Sequence, residues 1–330
     1  MTLDAKLQKI RAGTYTPADF IIADAKDGDI AFGIAAPGDD PARPGRHLPR
    51  AAHLDAIREM VRSELVDIML MSASTGERLS KEGLFEGSQV TPAMRLNDTT
   101  DIWRARGGTY HTEPSLNHRT ARLDSAREYV DLGLYSITPS NQRDIDALNG
   151  EEYSQFREEA TDLGMRHFLE VFNPSIDIGL ADGADIGGYI NDNIIRMLAG
   201  VFEADYPLFL KIQYNGPRAM EELASYDPGH LIVGILGGSK GTTRDTFELI
   251  SQAERYGARV ALFGRKIMQA EIPLSLVSLM RAVIQREVSP IEAVKGYHGE
   301  MQSIGVSPKL SLEDDLIVSE EALKEAADAA

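Results

Sequence analysis

A chain of 330 residues with 43% hydrophobic and 26% charged side chains has the composition of an ordinary soluble globular protein, with length for one large core or two modest domains. Cysteine is absent, which excludes disulfides, thiolate metal sites and cysteine nucleophiles. No apolar run reaches the length of a bilayer span and Met1 to Arg11 lacks the apolar centre of a secretion signal, so the expected location is cytoplasmic. The formal net charge of −17 repels nucleic acid and anionic lipid, so any anion site must be built locally from basic islands and glycine-rich turns.

Along the chain, apolar β-type runs alternate with amphipathic helical stretches. The first run is Phe20 to Asp24; a helical stretch from His53 to Leu65 leads into the second, Val66 to Met71. Thr91 to Leu96 is the third. Helical Arg119 to Tyr129 precedes a weaker fourth run, Leu132 to Ile137, and helical Glu151 to Leu163 precedes the fifth, His167 to Phe172. A helix over Asn191 to Phe202 leads to the sixth run, Pro207 to Gln213, and short helical Arg218 to Ala224 to the seventh, Leu231 to Leu236. Helical Thr243 to Tyr256 precedes the eighth, Arg259 to Phe263. Leu274 to Arg286 and Pro290 to Met301 close the pattern as helices.

Near-continuous apolar strands separated by helices imply parallel strands with right-handed crossovers. Eight such units in about 250 residues match a closed (β/α)₈ barrel. The expected organisation is thus an α/β fold, a single TIM-barrel domain over residues 1–330, with an N-terminal helix over 1–13 and a C-terminal helical extension over 290–330. The runner-up, a doubly wound open sheet, needs a glycine-rich turn after the first strand, and Asp24-Ala25-Lys26-Asp27-Gly28 is not one.

In a barrel the chemistry sits at the C-terminal ends of the strands and in the loops after them. Lys211 interrupts the apolar sixth run. A buried lysine near other cations sheds its proton more readily and can attack a carbonyl; the competing reading is a structural pair with a carboxylate. Glu170, between Leu169 and Val171 on the fifth run, needs a partner, and Lys211 on the adjacent strand is the obvious one, for pairing or for acid/base work. Asp24 ends the first run and is the candidate carboxylate there, whereas Asp27 and Asp29 read as a solvated turn.

The turn Gly237-Gly238-Ser239-Lys240-Gly241 follows the seventh run and opens a helix, and Gly264-Arg265-Lys266 follows the eighth with two cations. Barrel phosphate sites are often built from these two loops. Gly237, Gly238, Ser239, Gly264 and Arg265 are the candidate phosphate contacts. The Pro- and Gly-rich segment Gly33 to Arg50 carries Arg43, Arg46, His47 and Arg50, a candidate second anion site on a binding loop or else a solvated loop or subunit contact. Trp103, Arg104, Arg106 and His111, after the third run, raise the same question. The seven histidines show no metal-binding spacing on a helix, and His167 begins a strand at the wrong end, so no metal is expected.

The segments Leu210-Lys211-Ile212-Gln213-Tyr214-Asn215-Gly216, Leu236-Gly237-Gly238-Ser239 and Phe263-Gly264-Arg265-Lys266-Ile267 together resemble the class I, Schiff-base aldolases of the archaeal fructose-bisphosphate type, the group that also holds the deoxyribose-phosphate aldolases. The resemblance implies a lyase that needs no cofactor. Its lysine, Lys211, forms a Schiff base with a ketose phosphate; phosphate is held near Gly238 and Arg265; an aspartate, Asp24, ends the first strand. A homo-oligomer is expected. The chain departs from the family at the end of the fourth strand, where a tyrosine serves as general acid/base: Thr138 stands there and Tyr135 comes too early, which makes Glu170 a candidate for proton transfer. A Schiff-base transaldolase or acyltransferase on a phosphorylated metabolite is the alternative, and a non-catalytic barrel a third reading.

Overall fold

Eight parallel strands close on themselves. The computed structural model describes residues 1–99, 106, 108, 112–238 and 241–327. The strands in chain order are β1 (Ile21–Lys26), β2 (Ile68–Met71), β3 (Thr91–Arg95), β4 (Asn97–Thr99), β5 (Asn117–Arg119), β6 (Leu132–Ile137), β7 (Arg166–Val171), β8 (Leu210–Ile212), β9 (Gly234–Leu236) and β10 (Val260–Phe263). All but β4 and β5 form the barrel, in the order β1-β2-β3-β6-β7-β8-β9-β10 and back to β1. This is the (β/α)₈ architecture that the alternation of runs and helices predicts, and β1 closes on β10 in parallel, with Asp24 opposite Phe263.

Alternate residues of a strand point to opposite faces, and here the two faces build two cores. One gathers Ile21 and Ala23, Ile68 and Leu70, Ala93, Leu132 and Leu134, Phe168, Phe209, Ile232, Val260 and Leu262. This set fills the barrel, and helix Leu3–Arg11 seals its N-terminal end with Leu3, Leu7 and Ile10. The other set, including Ile22, Met69, Met94, Tyr135, Leu169, Leu210, Ile212 and Phe263, packs outward against the helices. In every barrel strand the side-chain parity therefore decides between the interior and the helix layer.

The structure departs from the sequence expectations at several places. Arg119 is not helical: Asn117–Arg119 pairs antiparallel with Asn97–Thr99, and only Leu123–Arg127 forms a helix. The side chain of Asn97 clamps β6, donating to the Ser136 carbonyl at 2.7 Å and accepting from the Ser136 amide at 2.6 Å. Helix Ala73–Lys81, between β2 and β3, lies in a polar stretch with few apolar residues to announce it. The C-terminal extension is only partly helical: Pro290–Ser303 is followed by the short helices Leu312–Asp315 and Glu321–Lys324. Leu323 of this segment is buried, and its carbonyl accepts from Gln252 on helix Thr243–Arg255. No helix among the described residues is long and apolar enough to cross a membrane.

At the sealed end, Asp67 ties three elements together. One carboxylate oxygen lies 2.7 Å from Lys6 Nζ; the other accepts from the Ile22 amide at 2.9 Å and from Arg281 at 3.1 Å. Removing one partner of a buried pair leaves uncompensated charge. Asp67→Ala should therefore lower the free energy of unfolding by about 3–5 kcal/mol in urea titrations, whereas Asp162→Ala, at an exposed helix end, should change it by less than about 0.5 kcal/mol.

His167, on β7, is buried in the helix layer, where its Nε2 sits 2.9 Å from the Tyr153 hydroxyl. Burial, with Arg157 nearby, pushes its pKa down to about 3 from 6.5. Between those two values the unfolded chain binds one more proton than the folded one, so stability falls as pH falls through this window. The unfolding free energy should lose about 1.4 kcal/mol per pH unit from this residue alone; in His167→Gln that part of the slope between pH 6 and pH 4 should vanish.

Candidate active site

The inward parity that fills the barrel with apolar side chains places polar ones at its C-terminal mouth. Ser136, Glu170 and Lys211 lie side by side, since Ser136 pairs in register with Glu170 and Glu170 with Lys211 on three adjacent strands. Arg95 ends β3 two residues beyond Ala93, and Asp27 follows β1 two residues beyond Ala25. Buried charges persist only when paired and hydrogen-bonded, and these groups satisfy one another. Lys211 Nζ is 2.5 Å from Glu170 Oε1. Glu170 Oε2 accepts from Arg95 at 2.9 Å and from the Ser136 hydroxyl at 2.7 Å. Arg95 also donates to Ser136 at 2.7 Å and, through Nε, to Asp27 at 2.5 Å.

Lys211 is 5% exposed and Glu170 1% exposed, so the pair lies beneath the mouth rather than in open solvent. Burial opposes ionisation of Asp27, but the positive charges of Arg95 and Lys211 outweigh it and hold its carboxyl below the usual range. Arg95 likewise stays charged: burial works against its cation, and Asp27, Glu170 and Asp98 more than compensate. The arrangement is an amine in contact with a carboxylate that is braced on its far side by a permanent cation.

A cavity of about 490 Å³ opens above this network. Asp27, Arg95, Glu170 and Lys211 form its floor, and its walls include Phe32, Phe172, Gln213, Gly237, Gly238, Gly264 and Arg265. These wall residues come from the segments after β1, β7, β8, β9 and β10, all at the C-terminal face. The volume suits a small metabolite.

The two turns expected to hold phosphate meet at this cavity. Gly238 adopts φ +70°, a left-handed conformation that favours glycine. At Gly264 a Cβ would lie 2.9 Å from the Ala25 carbonyl oxygen, so only glycine lets β10 turn this close to β1. The Arg265 guanidinium donates to the Gly238 carbonyl at 3.1 Å and ties one turn to the other. Ser239 lies outside the described residues.

Other expected positions are placed elsewhere. Asp24 has the parity of Ile22, so it faces the helix layer, 3.0 Å from Lys26 Nζ and near His53, and does not line the cavity. Burial raises its pKa. Asp27, read from the sequence as a solvated turn, is the buried aspartate of the site; Asp29 is held by Ser72 at 2.6 Å. Arg43, Arg46 and His47 do not line the cavity either. Arg43 pairs with Asp40 at 2.6 Å, His47 Nδ1 lies 3.0 Å from Asp39, and the bridge between Asp39 and His47 folds the loop onto itself. Trp103, Arg104 and His111 fall outside the described residues, and Arg106 is exposed. Tyr135 points outward, its ring 4.5 Å from that of Phe156 and 5.0 Å from that of Tyr153, while Thr138 is buried. Burial pushes the Tyr135 hydroxyl up to about 12.

Arg95 and Ser136 are members of the network that residue type alone does not single out. The available signal is parity: each continues the inward phase of its strand past the last aliphatic layer.

No family model matches the chain. In sequence it is 24% identical over 221 residues to an uncharacterized aldolase of Saccharolobus solfataricus, a match that spans 66% of this chain and 77% of that one. In structure it is similar to an archaeal fructose 1,6-bisphosphate aldolase, at TM-score 0.61 and 17% identity over 86% of this chain and 99% of the other. It is also similar to a fructose-bisphosphate aldolase from Slackia heliotrinireducens, at TM-score 0.63 and 13% identity over 95% and 93%. A third likeness, at TM-score 0.61 and 18% identity over 86% and 100%, is to an archaeal aldolase whose catalytic lysine is covalently bound to the carbinolamine intermediate of its substrate. The chain is thus similar in sequence to an uncharacterized aldolase and in fold to archaeal fructose 1,6-bisphosphate aldolases.

Proposed function

We propose that the protein is a class I aldolase that cleaves or forms a C–C bond in a ketose phosphate through a Schiff base on Lys211. The observation that carries this reading is the contact between the Lys211 amine and Glu170 on the floor of a cavity bounded by the β9 and β10 turns. A buried lysine with an adjacent acid/base group is the arrangement that amine attack on a carbonyl requires. The similarity to aldolases supports the same chemistry.

In this reading Glu170 takes a proton from the Lys211 ammonium and the free amine attacks the ketose carbonyl. Glu170 returns the proton to the carbinolamine hydroxyl, which leaves as water, and an iminium remains. The iminium accepts the electron pair of the breaking C–C bond while a carboxylate removes the proton of the neighbouring hydroxyl and an aldehyde departs. Protonation and hydrolysis of the enamine release a three-carbon ketone phosphate and regenerate the amine. Arg95 and Ser136 hold Glu170 in place, and ionised Asp27 is the group assigned to the role that the family resemblance gives to Asp24. The phosphate lies on the Gly237–Gly238 and Gly264–Arg265 turns, which fixes the carbonyl toward Lys211.

Borohydride reduction in the presence of a panel of ketose phosphates should leave a mass increment on Lys211, located by peptide mapping. Absence of any adduct across the panel would sink the assignment. Lys211→Met should give no adduct and no cleavage. Glu170→Gln should lower the cleavage rate by about 10²–10⁴-fold, read as kcat at saturating substrate. Asp27→Asn should also slow cleavage, whereas Asp24→Asn, changed behind the barrel wall, should cleave at close to the parental rate.

A further inference from the structure

The turn after β10 offers two adjacent cations, and the structure engages them differently. Arg265 lines the cavity above Lys211. Lys266 lines a second cavity of about 900 Å³ next to it, into which Arg265 also reaches. The Lys266 amine is held by Glu320 from the far C-terminal segment, at 3.0 Å, with side chains 6% and 21% exposed respectively. The same carboxylate presses against the β9 turn: a Cβ built on Gly238 would meet Glu320 Oε2 at 3.2 Å and Oε1 at 3.3 Å.

Glu320 is held there by its backbone. Its amide and that of Ser319 both donate to Asp245 Oδ1, at 3.2 Å and 2.8 Å, and the Ser319 hydroxyl donates to Asp245 Oδ2 at 2.5 Å. The Ile317 carbonyl accepts from the Thr242 hydroxyl at 2.7 Å. Amides at the start of helix Thr243–Arg255 are also taken: Thr242 donates to Asp245 at 2.9 Å and Thr243 to Asp315 at 2.6 Å. The segment from Asp315 to Glu320 thus brings carboxylates to positive groups beside the turns that are candidates for phosphate.

We propose that Glu320 determines the anion affinity of this subsite by sequestering Lys266, so that a substrate phosphate on the Gly238 and Arg265 turns is denied the Lys266 charge. This rests on the phosphate placement proposed above, but not on the chemistry at Lys211. Lys266 and Arg265 occupy successive positions of one short helix, Arg265–Met268. An amine released from Glu320 has the reach of a flexible four-carbon stem from there. With the backbone of residues 319 and 320 pinned to Asp245, neutralising the Glu320 side chain frees Lys266 without unseating the segment.

The test is the dissociation constant of inorganic phosphate, by calorimetry at fixed ionic strength, for the full-length parent, Glu320→Gln and Glu320→Gln/Lys266→Met. Glu320→Gln should bind phosphate about tenfold more tightly, equivalent to about 1.4 kcal/mol, and the double variant should return to the parental value or weaker. Equal or weaker binding by Glu320→Gln, or no binding by either protein, overturns the proposal, as does a gain that survives in the double variant. Thermal melts accompany the titrations; should Glu320→Gln fail to fold, Glu320→Asp, which draws the carboxylate back from Lys266, serves in its place with the same expected sign. Where a ketose phosphate labels Lys211, its KM should fall in Glu320→Gln with kcat little changed. Tighter phosphate binding without any Lys211 adduct leaves this inference standing and removes the aldolase reading; an adduct with unchanged phosphate binding does the reverse.

Discussion

The interaction on which the candidate site depends is the chain of buried charge from Lys211 through Glu170 and Arg95 to Asp27. Each ion in that chain would be costly alone in the apolar mouth of a barrel, and each is retained because its neighbours satisfy it. The four residues come from β1, β3, β7 and β8 or their ends, so the network exists only when the barrel has closed. It also brings strands together that do not touch, since β3 and β7 are both partners of β6 and not of each other. Arg95 spans that gap and reaches Glu170.

The bracing has a chemical consequence. Glu170 uses one oxygen for Lys211 and the other for Arg95 and Ser136, so in the proposed reaction its orientation toward the amine is set before a substrate arrives. Such advance ordering is how a site avoids reorganisation during reaction. The apolar layer beneath, with Phe168, Phe209 and Leu262, closes the cavity from below and leaves the C-terminal mouth as the side on which the turns gather.

Those turns carry a second theme, the supply of positive charge in a protein of net charge −17. The local cations are matched closely: Arg43 to Asp40, Lys266 to Glu320, Lys211 to Glu170. The basic loop of residues 33 to 50 looks in sequence like an anion clamp, yet Arg43 meets Asp40, Arg50 donates to the hydroxyls of Ser74 and Thr75, and the loop closes through Asp39 and His47. Charge density along a segment therefore says little about the charge presented to a ligand; the partners decide it.

The sequence by itself determined the barrel, because eight apolar runs separated by helices leave few ways to bury both faces of every strand, and it pointed to the contact of Lys211 with Glu170, because a charge inside an apolar run must find a partner on a neighbouring strand. It also marked the turns after β9 and β10, where glycines are required by the backbone. Which aspartate joins the site was decided only by the tertiary structure. Asp24 and Asp27 are both acidic and both near the end of β1, but a shift of three residues reverses the face in a strand with period two, sending one to His53 and the helix layer and the other to Arg95. The partners of Arg95, Ser136 and Glu320 were likewise visible only after folding, since they lie 75, 34 and 54 residues away in the chain and no local pattern records a contact of that span.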